Sequence, residues 1–177
     1  MIWADNVPLS LDNFEDIAKA HPDDSCYRMT IKQETEKYGF DVYRFCKSCD
    51  SYILYNGKMH YLGYGSGPYG VTSLAAADLN GDGAIEVYYT FSWTIGGTRV
   101  SEVAYFDTAW EEVFHFYYSR CYNNDLALKV EDGKIGFYTA MVSLHGDNDE
   151  DLVVMPMGSK VGEFIFENGE IGIVTKQ

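Results

Sequence analysis

One nine-residue pattern constrains the fold of this chain more than any other feature. Residues 78–86 read DLNGDGAIE, and a β-branched and aromatic run at 87–91 follows at once. Oxygen-bearing side chains occupy the first, third, fifth and ninth positions, as Asp78, Asn80, Asp82 and Glu86. Gly81 and Gly83 permit the tight path that turns alternate residues inward. The pattern predicts a curled acidic loop that leads directly into a strand.

The ligand types in this loop favour Ca²⁺, which takes six to eight oxygen ligands in flexible geometry. The backbone carbonyl of Ala84 can add a further oxygen to the four side chains. A helix-loop-helix calcium motif is excluded, because its twelfth position needs a glutamate and Tyr89 stands there. The alternative is an Asn-Gly/Asp-Gly turn between strands, which these residues favour without a metal.

The loop and the start of its strand resemble the calcium loop of FG-GAP/VCBS-type repeats, the blades of integrin-like β-propellers. Their pattern is Asp-x-Asp/Asn-x-Asp-Gly-x-x-Asp before an apolar strand, and Glu86 replaces the last aspartate. The resemblance implies a non-enzymatic adhesion or recognition module with a structural Ca²⁺, located outside the cell or in its envelope.

A degenerate copy of the loop is present further along the chain. Residues 143–154 align with 78–89 without a gap, and an acid, Asp151, again precedes an apolar strand. Ser143 and His145 replace Asp78 and Asn80, so the copy from Ser143 to Asp151 has lost two ligands. We expect it to keep the turn and to bind calcium poorly, if at all.

The repeats predict an all-β protein of about three propeller-blade-like, four-stranded antiparallel units, at 26–62, 71–118 and 124–177. Asn56-Gly57 and Asn168-Gly169 between apolar runs are strong hairpin signals. Propellers close with four to eight blades, so three units predict a partial propeller or an irregular sandwich. The chain is interpreted as a single domain, 1–177.

The first 25 residues are interpreted as a lead-in with one short N-terminal helix. Ser10 is the expected cap, Phe14 and Ile17 contribute to an apolar face, and Pro22 ends the helix. Such an amphipathic helix most simply packs on a sheet face.

The net charge and the lengths of the apolar runs limit the kinds of partner that this chain can bind. The formal net charge is −14 and the pI is about 4.5, which argues against nucleic acid and anionic membranes as partners. No apolar run is long enough to span a membrane, and the N-terminus lacks a signal-peptide pattern. Low-affinity calcium loops nevertheless suit an extracellular or envelope location. The negative charge also favours a basic protein partner, as in an inhibitor or immunity-type protein.

The four cysteines, Cys26, Cys46, Cys49 and Cys121, leave several interpretations open. Structural thiols or disulfides are favoured. A zinc site needs a second pair of closely spaced ligands besides Cys46 and Cys49, and a thioredoxin-like redox motif lies at a strand-to-helix junction of an α/β fold.

The middle unit is rich in aromatic residues, which make up 16 % of the chain. Half are expected in the core, and a surface near Trp93, Gly96 and Gly97 is a candidate for contact with a protein or a glycan. The alternative function is therefore a carbohydrate-binding domain or an accessory domain of a carbohydrate-active enzyme. No catalytic residues are predicted, because adjacent strand acids such as Glu111 and Glu112 point to opposite faces.

Overall fold

The computed structural model describes residues 14–24, 26–29, 36–45, 48–64, 70–95, 98–118, 125–140, 142–144, 152–154 and 158–176. The elements run in the order α1 (Phe14–Ala20), β1 (Cys26–Met29), β2 (Phe40–Phe45), β3 (Asp50–Tyr55), β4 (Lys58–Tyr64), β5 (Val71–Ala77), β6 (Glu86–Ile95), β7 (Thr98–Asp107), β8 (Glu112–Tyr118), β9 (Asp125–Glu131), β10 (Lys134–Ala140), β11 (Val142–Leu144), β12 (Leu152–Val154), β13 (Lys160–Glu167) and β14 (Glu170–Thr175).

Within the described ranges, the strands form three four-stranded antiparallel sheets and one small two-stranded sheet. The first sheet has the order β1-β2-β3-β4, the second β5-β6-β7-β8 and the third β14-β13-β10-β9, while β11 pairs with β12. The predicted all-β class with blade-like four-stranded units is confirmed.

Two-residue turns with positive φ at both positions close three of the hairpins. Asn56-Gly57 joins β3 to β4 and Asn168-Gly169 joins β13 to β14, as the sequence predicts. Asp132-Gly133 joins β9 to β10 in the same way. Asn, Asp and Gly tolerate positive φ better than other residues, and turns of this kind match the twist of the strands they join.

The middle sheet is buried on both faces, because successive side chains of a strand point to opposite sides. From β6, Val87, Tyr89 and Phe91 enter a core shared with the first sheet. Tyr88 points the other way, into a core shared with Phe137 and other residues of the third sheet. The three sheets therefore stack face to face with the second in the centre.

Hydrogen bonds between sheets fix their relative positions. The hydroxyl of Tyr89 donates to the Leu62 carbonyl of the first sheet at 2.9 Å. On the opposite side, the Thr90 hydroxyl donates to the Leu126 carbonyl at 3.0 Å, and the Leu128 amide donates to Ser73 Oγ at 2.9 Å. Buried polar groups thus find partners across the interfaces.

Helix α1 packs on the first sheet, as its apolar pattern predicts. Ile17 is fully buried and clusters with Phe45, Tyr52 and Met59. The expected cap Ser10 lies outside the described residues. A helical stretch at residues 36–38 before β2 was not predicted. Within the described part of the chain, no helix has the length and apolar character needed to cross a bilayer.

The second loop-strand unit differs from the first in its setting. Ser143, expected in the loop, lies in β11 opposite Val153, and the strand after the loop does not join the third four-stranded sheet. Residues 145–151 lie outside the described part of the chain, so ion binding by this copy remains a prediction.

Candidate metal site

Strand alternation buries the last acid of the predicted calcium loop. Glu86 is the first residue of β6, paired with Ala77 on one side and Asp107 on the other. It shares a face with Tyr88 and is 0 % exposed. A carboxylate is rarely buried to this degree without compensation.

The other acids of the loop hold its curled path. The amides of Gly81 and Gly83 donate to the two oxygens of Asp78, at 2.7 and 3.0 Å. The Asp82 amide donates to Asn80 Oδ1 at 2.9 Å, and the Ala84 amide donates to Asp82 Oδ1 at 2.8 Å. Gly81 and Gly83 both have positive φ, of 75° and 90°, which explains the glycines at these positions.

This path brings three carboxylates together. One oxygen from each of Asp78, Asp82 and Glu86 lies within 4.8 Å of the others. Asp78 and Asp82 are exposed and Glu86 is buried, so the cluster has a closed inner end and an open outer end. An oxygen that accepts one N–H bond keeps a second lone pair, so the loop hydrogen bonds leave these carboxylates able to bind a cation.

The two carboxylate oxygens of Glu86 differ in their hydrogen bonds. Oε2 accepts hydrogen bonds from the Leu79 amide and the Tyr88 hydroxyl, both at 2.9 Å. Oε1 is buried and has no hydrogen-bond partner among the described residues. Burial raises the pKa of Glu86, the bonds from Leu79 and Tyr88 oppose the rise, and the negative charges of Asp107 and Asp78 add to it.

The remaining predicted ligands lie beside the cluster. Asn80 donates from Nδ2 to Asp82 Oδ2 at 3.1 Å and so belongs to the same hydrogen-bonded loop. Ala84 is half-buried and contributes its amide to the loop geometry. The loop pattern therefore lies together in space, with Asp78, Asp82 and Glu86 as its carboxylate centre.

Three residues next to the site were not predicted. Tyr88 orients Glu86, as described above, and Asp107 lies directly opposite Glu86 on β7. Thr108 donates from its hydroxyl to the Ile85 carbonyl at 2.6 Å, which anchors the loop exit. The alternation of β6 is the signal that could have identified Tyr88. Asp107 and Thr108 depend on the β6–β7 register, which the sequence does not specify.

Other sequence candidates fall largely outside the described residues. Cys46, Cys121, Gly96 and Gly97 are not described, nor are the side chains of Cys26 and Trp93. Cys49 is buried just before β3. The thiol interpretation and the contact surface near Trp93 therefore remain predictions.

The chain matches no protein-family model, no curated protein and no solved structure.

Proposed function

We propose that the loop at residues 78–86 binds one structural Ca²⁺ and that the protein is a non-enzymatic recognition module. The observation that carries this proposal is the buried carboxylate of Glu86, whose Oε1 lacks a hydrogen-bond partner among the described residues and which clusters with the carboxylates of Asp78 and Asp82. Three carboxylates this close repel one another when ionised. A dication removes that repulsion and supplies the missing partner of Glu86.

The donor set favours Ca²⁺ over other ions. The carboxylate centre and the neighbouring Asn80 and Ala84 offer only oxygen, the ligand atom of hard cations. Zinc and copper sites commonly include imidazole or thiolate, and neither side chain occurs within residues 78–86. Mg²⁺ demands near-ideal octahedral geometry, whereas Ca²⁺ accepts the irregular arrangement of a loop.

The ion would stabilise the entry to the central strand of the middle sheet. Because β6 contributes to both cores, holding its first residue supports packing with the first and third sheets. For a dissociation constant of about 10 μM and free calcium of about 1 mM, binding adds about 2.7 kcal/mol to the free energy of unfolding. That is a substantial share of the stability of a typical domain.

Thermal unfolding in excess Ca²⁺, in excess Mg²⁺ and with a chelator tests this proposal. We expect Ca²⁺ to raise the melting temperature by about 5–10 °C and Mg²⁺ to raise it less. Asp82→Asn should abolish the calcium effect, since it removes a charge but can still accept the Ala84 hydrogen bond. Asp132→Asn is the matched control, because Asp132 is exposed in the β9–β10 turn and tolerates asparagine at positive φ. Equal wild-type melting curves with calcium and with chelator would contradict the proposal.

The recognition role rests on the resemblance of the loop to FG-GAP/VCBS-type repeats, supported by the stack of blade-like sheets. An extracellular or envelope location follows from the same resemblance, since a loop of modest affinity is loaded where calcium is near millimolar. Proteinase treatment of intact cells of the source, and of cells whose outer envelope has been opened, tests the location: digestion in either preparation supports it, and full protection in both opposes it.

A carbohydrate-binding role is the second candidate, favoured by a pocket that several aromatic side chains of the middle sheet line together with the third sheet. A glycan array separates the two roles. Calcium-independent binding of one glycan class would favour the carbohydrate interpretation, and turnover of a sugar polymer would overturn the non-enzymatic assignment.

A further inference from the structure

A pocket of about 480 Å³ lies beside the calcium loop. Its walls come from β7, β8 and the turn between them, and from the β13–β14 hairpin of the third sheet, while Asn80 of the loop contributes at the edge. The pocket lies at the Glu86–Asp107 end of the β6–β7 pair, opposite to the Ile95–Thr98 end. Its volume suits a single side chain or small molecule.

Aromatic rings dominate the lining of this pocket. They are Tyr105, Trp110, Phe114, Phe116 and Phe166. Trp110 is 75 % exposed, and with Phe114 and Phe166 it accounts for three of the six large exposed hydrophobic side chains among the described residues. Such clustering of exposed apolar surface around a concavity marks an interaction site.

Three of these rings are pre-arranged in a stack. The ring of Tyr105 lies nearly parallel to that of Phe114, with centroids 4.9 Å apart and an angle of 15°. Phe116 stacks on Tyr105 at 6.0 Å and 23°. Rigid, stacked rings lose little entropy when a flat ligand group packs against them.

The charges around the rings are negative. Asp107 and Glu170 line the pocket, and no Lys or Arg lies among its described lining residues. The Glu170 carboxylate has neither a hydrogen bond nor an ion pair within the part of the chain that the structure describes. Asp107 Oδ1 accepts from the amides of Ala109 and Trp110, at 2.8 and 3.1 Å, and so fixes the turn that carries the exposed tryptophan.

The imidazole in the lining is already paired. His115 Nδ1 lies 2.9 Å from Glu102 Oε1, so Glu102 compensates any positive charge on the imidazole. The pocket therefore combines the exposed rings of Trp110, Phe114 and Phe166 with carboxylates that no Lys or Arg of its described lining neutralises, which disfavours an anionic ligand.

We infer that this pocket binds an arginine side chain of a protein partner. A guanidinium is planar and stacks on aromatic faces, and its donors pair with carboxylates, so it meets both features of the lining. A neutral sugar would pack on the rings and donate hydroxyl hydrogen bonds to the carboxylates, but it would leave their charge unneutralised. The inference goes beyond the proposed calcium function, because the aromatic lining and Glu170 are separate from the three clustered carboxylates.

The inference is tested by nuclear magnetic resonance titration of the full chain with Nα-acetyl-arginine methylamide. The citrulline counterpart is the matched probe, because it has the same shape without the charge. We expect saturable shifts of the Trp110 indole N–H and the Gly169 amide with the arginine probe, and an affinity at least about fivefold lower for the citrulline probe. Trp110→Ala and Glu170→Gln should each weaken arginine binding by about two- to fivefold.

Two controls use side chains that do not line the pocket. Tyr64→Ala removes another exposed aromatic ring, and Asp132→Asn removes another exposed acid; neither should change arginine binding. Equal binding of the two probes, no shift with either probe up to its solubility limit, or saturable binding of a mono- or disaccharide that Trp110→Ala abolishes would overturn the inference. The arginine titrations are run both with calcium and with chelator. Their result is therefore distinct from that of the melting experiment, which tests calcium binding alone.

Discussion

The hydroxyl of Tyr88 donates a hydrogen bond of 2.9 Å to Glu86 Oε2 inside the core between the second and third sheets. Both residues belong to β6 and share one face, so the strand's alternation supplies the acid together with the donor that orients it. With Oε2 held by Tyr88 and by the Leu79 amide, the rotation of the carboxylate is fixed. Oε1 lacks a hydrogen-bond partner among the described residues and is the atom that the proposed cation would contact.

Tyr88→Phe tests this coupling. We expect the variant to lose about 2 kcal/mol of unfolding free energy, since it removes a hydrogen bond to a buried charged group, and to bind calcium more weakly. Tyr89→Phe is the matched control, because its buried hydroxyl donates to the Leu62 carbonyl on the other face of the same strand. Urea denaturation and calcium titration measure the two effects. Equal loss of calcium affinity in both variants would show that Tyr88 does not orient the site.

Glu86→Gln should change stability in opposite directions with and without calcium. The pKa of Glu86 is raised by burial above its ordinary 4.5, so the folded state holds the proton more strongly than the unfolded state. Without calcium, wild-type stability therefore falls as pH rises from about 4.5 through the raised pKa. Glutamine can accept the bonds from Leu79 and Tyr88 without this charge.

Melting curves of wild type and Glu86→Gln across this pH range test the reversal. With chelator at neutral pH, the variant should equal or exceed the wild type in melting temperature; with calcium, it should be lower because it has lost a ligand. A variant that is less stable by the same amount in both conditions would indicate that the Glu86 charge has no relation to a cation.

Two glycines of the third sheet should respond oppositely to alanine. A Cβ at Gly162 would overlap the Phe137 ring and lie 2.7 Å from the Val174 carbonyl oxygen, whereas one at Gly172 would have no heavy atom within 4 Å. We expect Gly162→Ala to cost about 1–3 kcal/mol, and Gly172→Ala to be neutral or to stabilise by about 0.5 kcal/mol. Urea denaturation measures both. A Gly162→Ala protein as stable as wild type would contradict the packing of β10, β13 and β14.

Two buried tyrosines should titrate late. Burial raises the pKa of Tyr52 and of Tyr105 to about 12, and the nearby Asp50 and Asp107, respectively, add to the rise. Because the folded pKa exceeds the ordinary 10.0, the stability that these groups contribute is complete below pH 10 and is lost as pH rises towards 12. Tyrosinate absorbance should show a late group that titrates near pH 12 and coincides with unfolding. A single transition near pH 10 with the fold intact would contradict their burial.

The sequence predicts the features that depend on local chemistry. Asn56-Gly57 and Asn168-Gly169 identify hairpins because positive φ selects these residues, and Asp132-Gly133 carried the same signal unnoticed. The loop acids were predicted together because their spacing alone curls them inward. Ser143 was misplaced because a short strand extends into the position that the alignment assigned to a loop.

Features that depend on strand pairing and on the stacking of the sheets could not be predicted from local sequence. Asp107 lies opposite Glu86 only through the pairing of β6 with β7. The proposed arginine-binding pocket joins residues of the second and third sheets that are 50 to 66 positions apart in the chain. Its Phe166 and Glu170 lie on either side of a hairpin turn that sequence analysis identified, but their proximity to Trp110 arises from sheet stacking.

Anomalous diffraction from crystals grown in calcium tests the central claim most directly. The account predicts one strong anomalous peak among the carboxylates of Asp78, Asp82 and Glu86, with oxygen ligands about 2.3–2.6 Å away. No peak at this position, with Glu86 Oε1 bonded instead to a water or a protein donor, would contradict it.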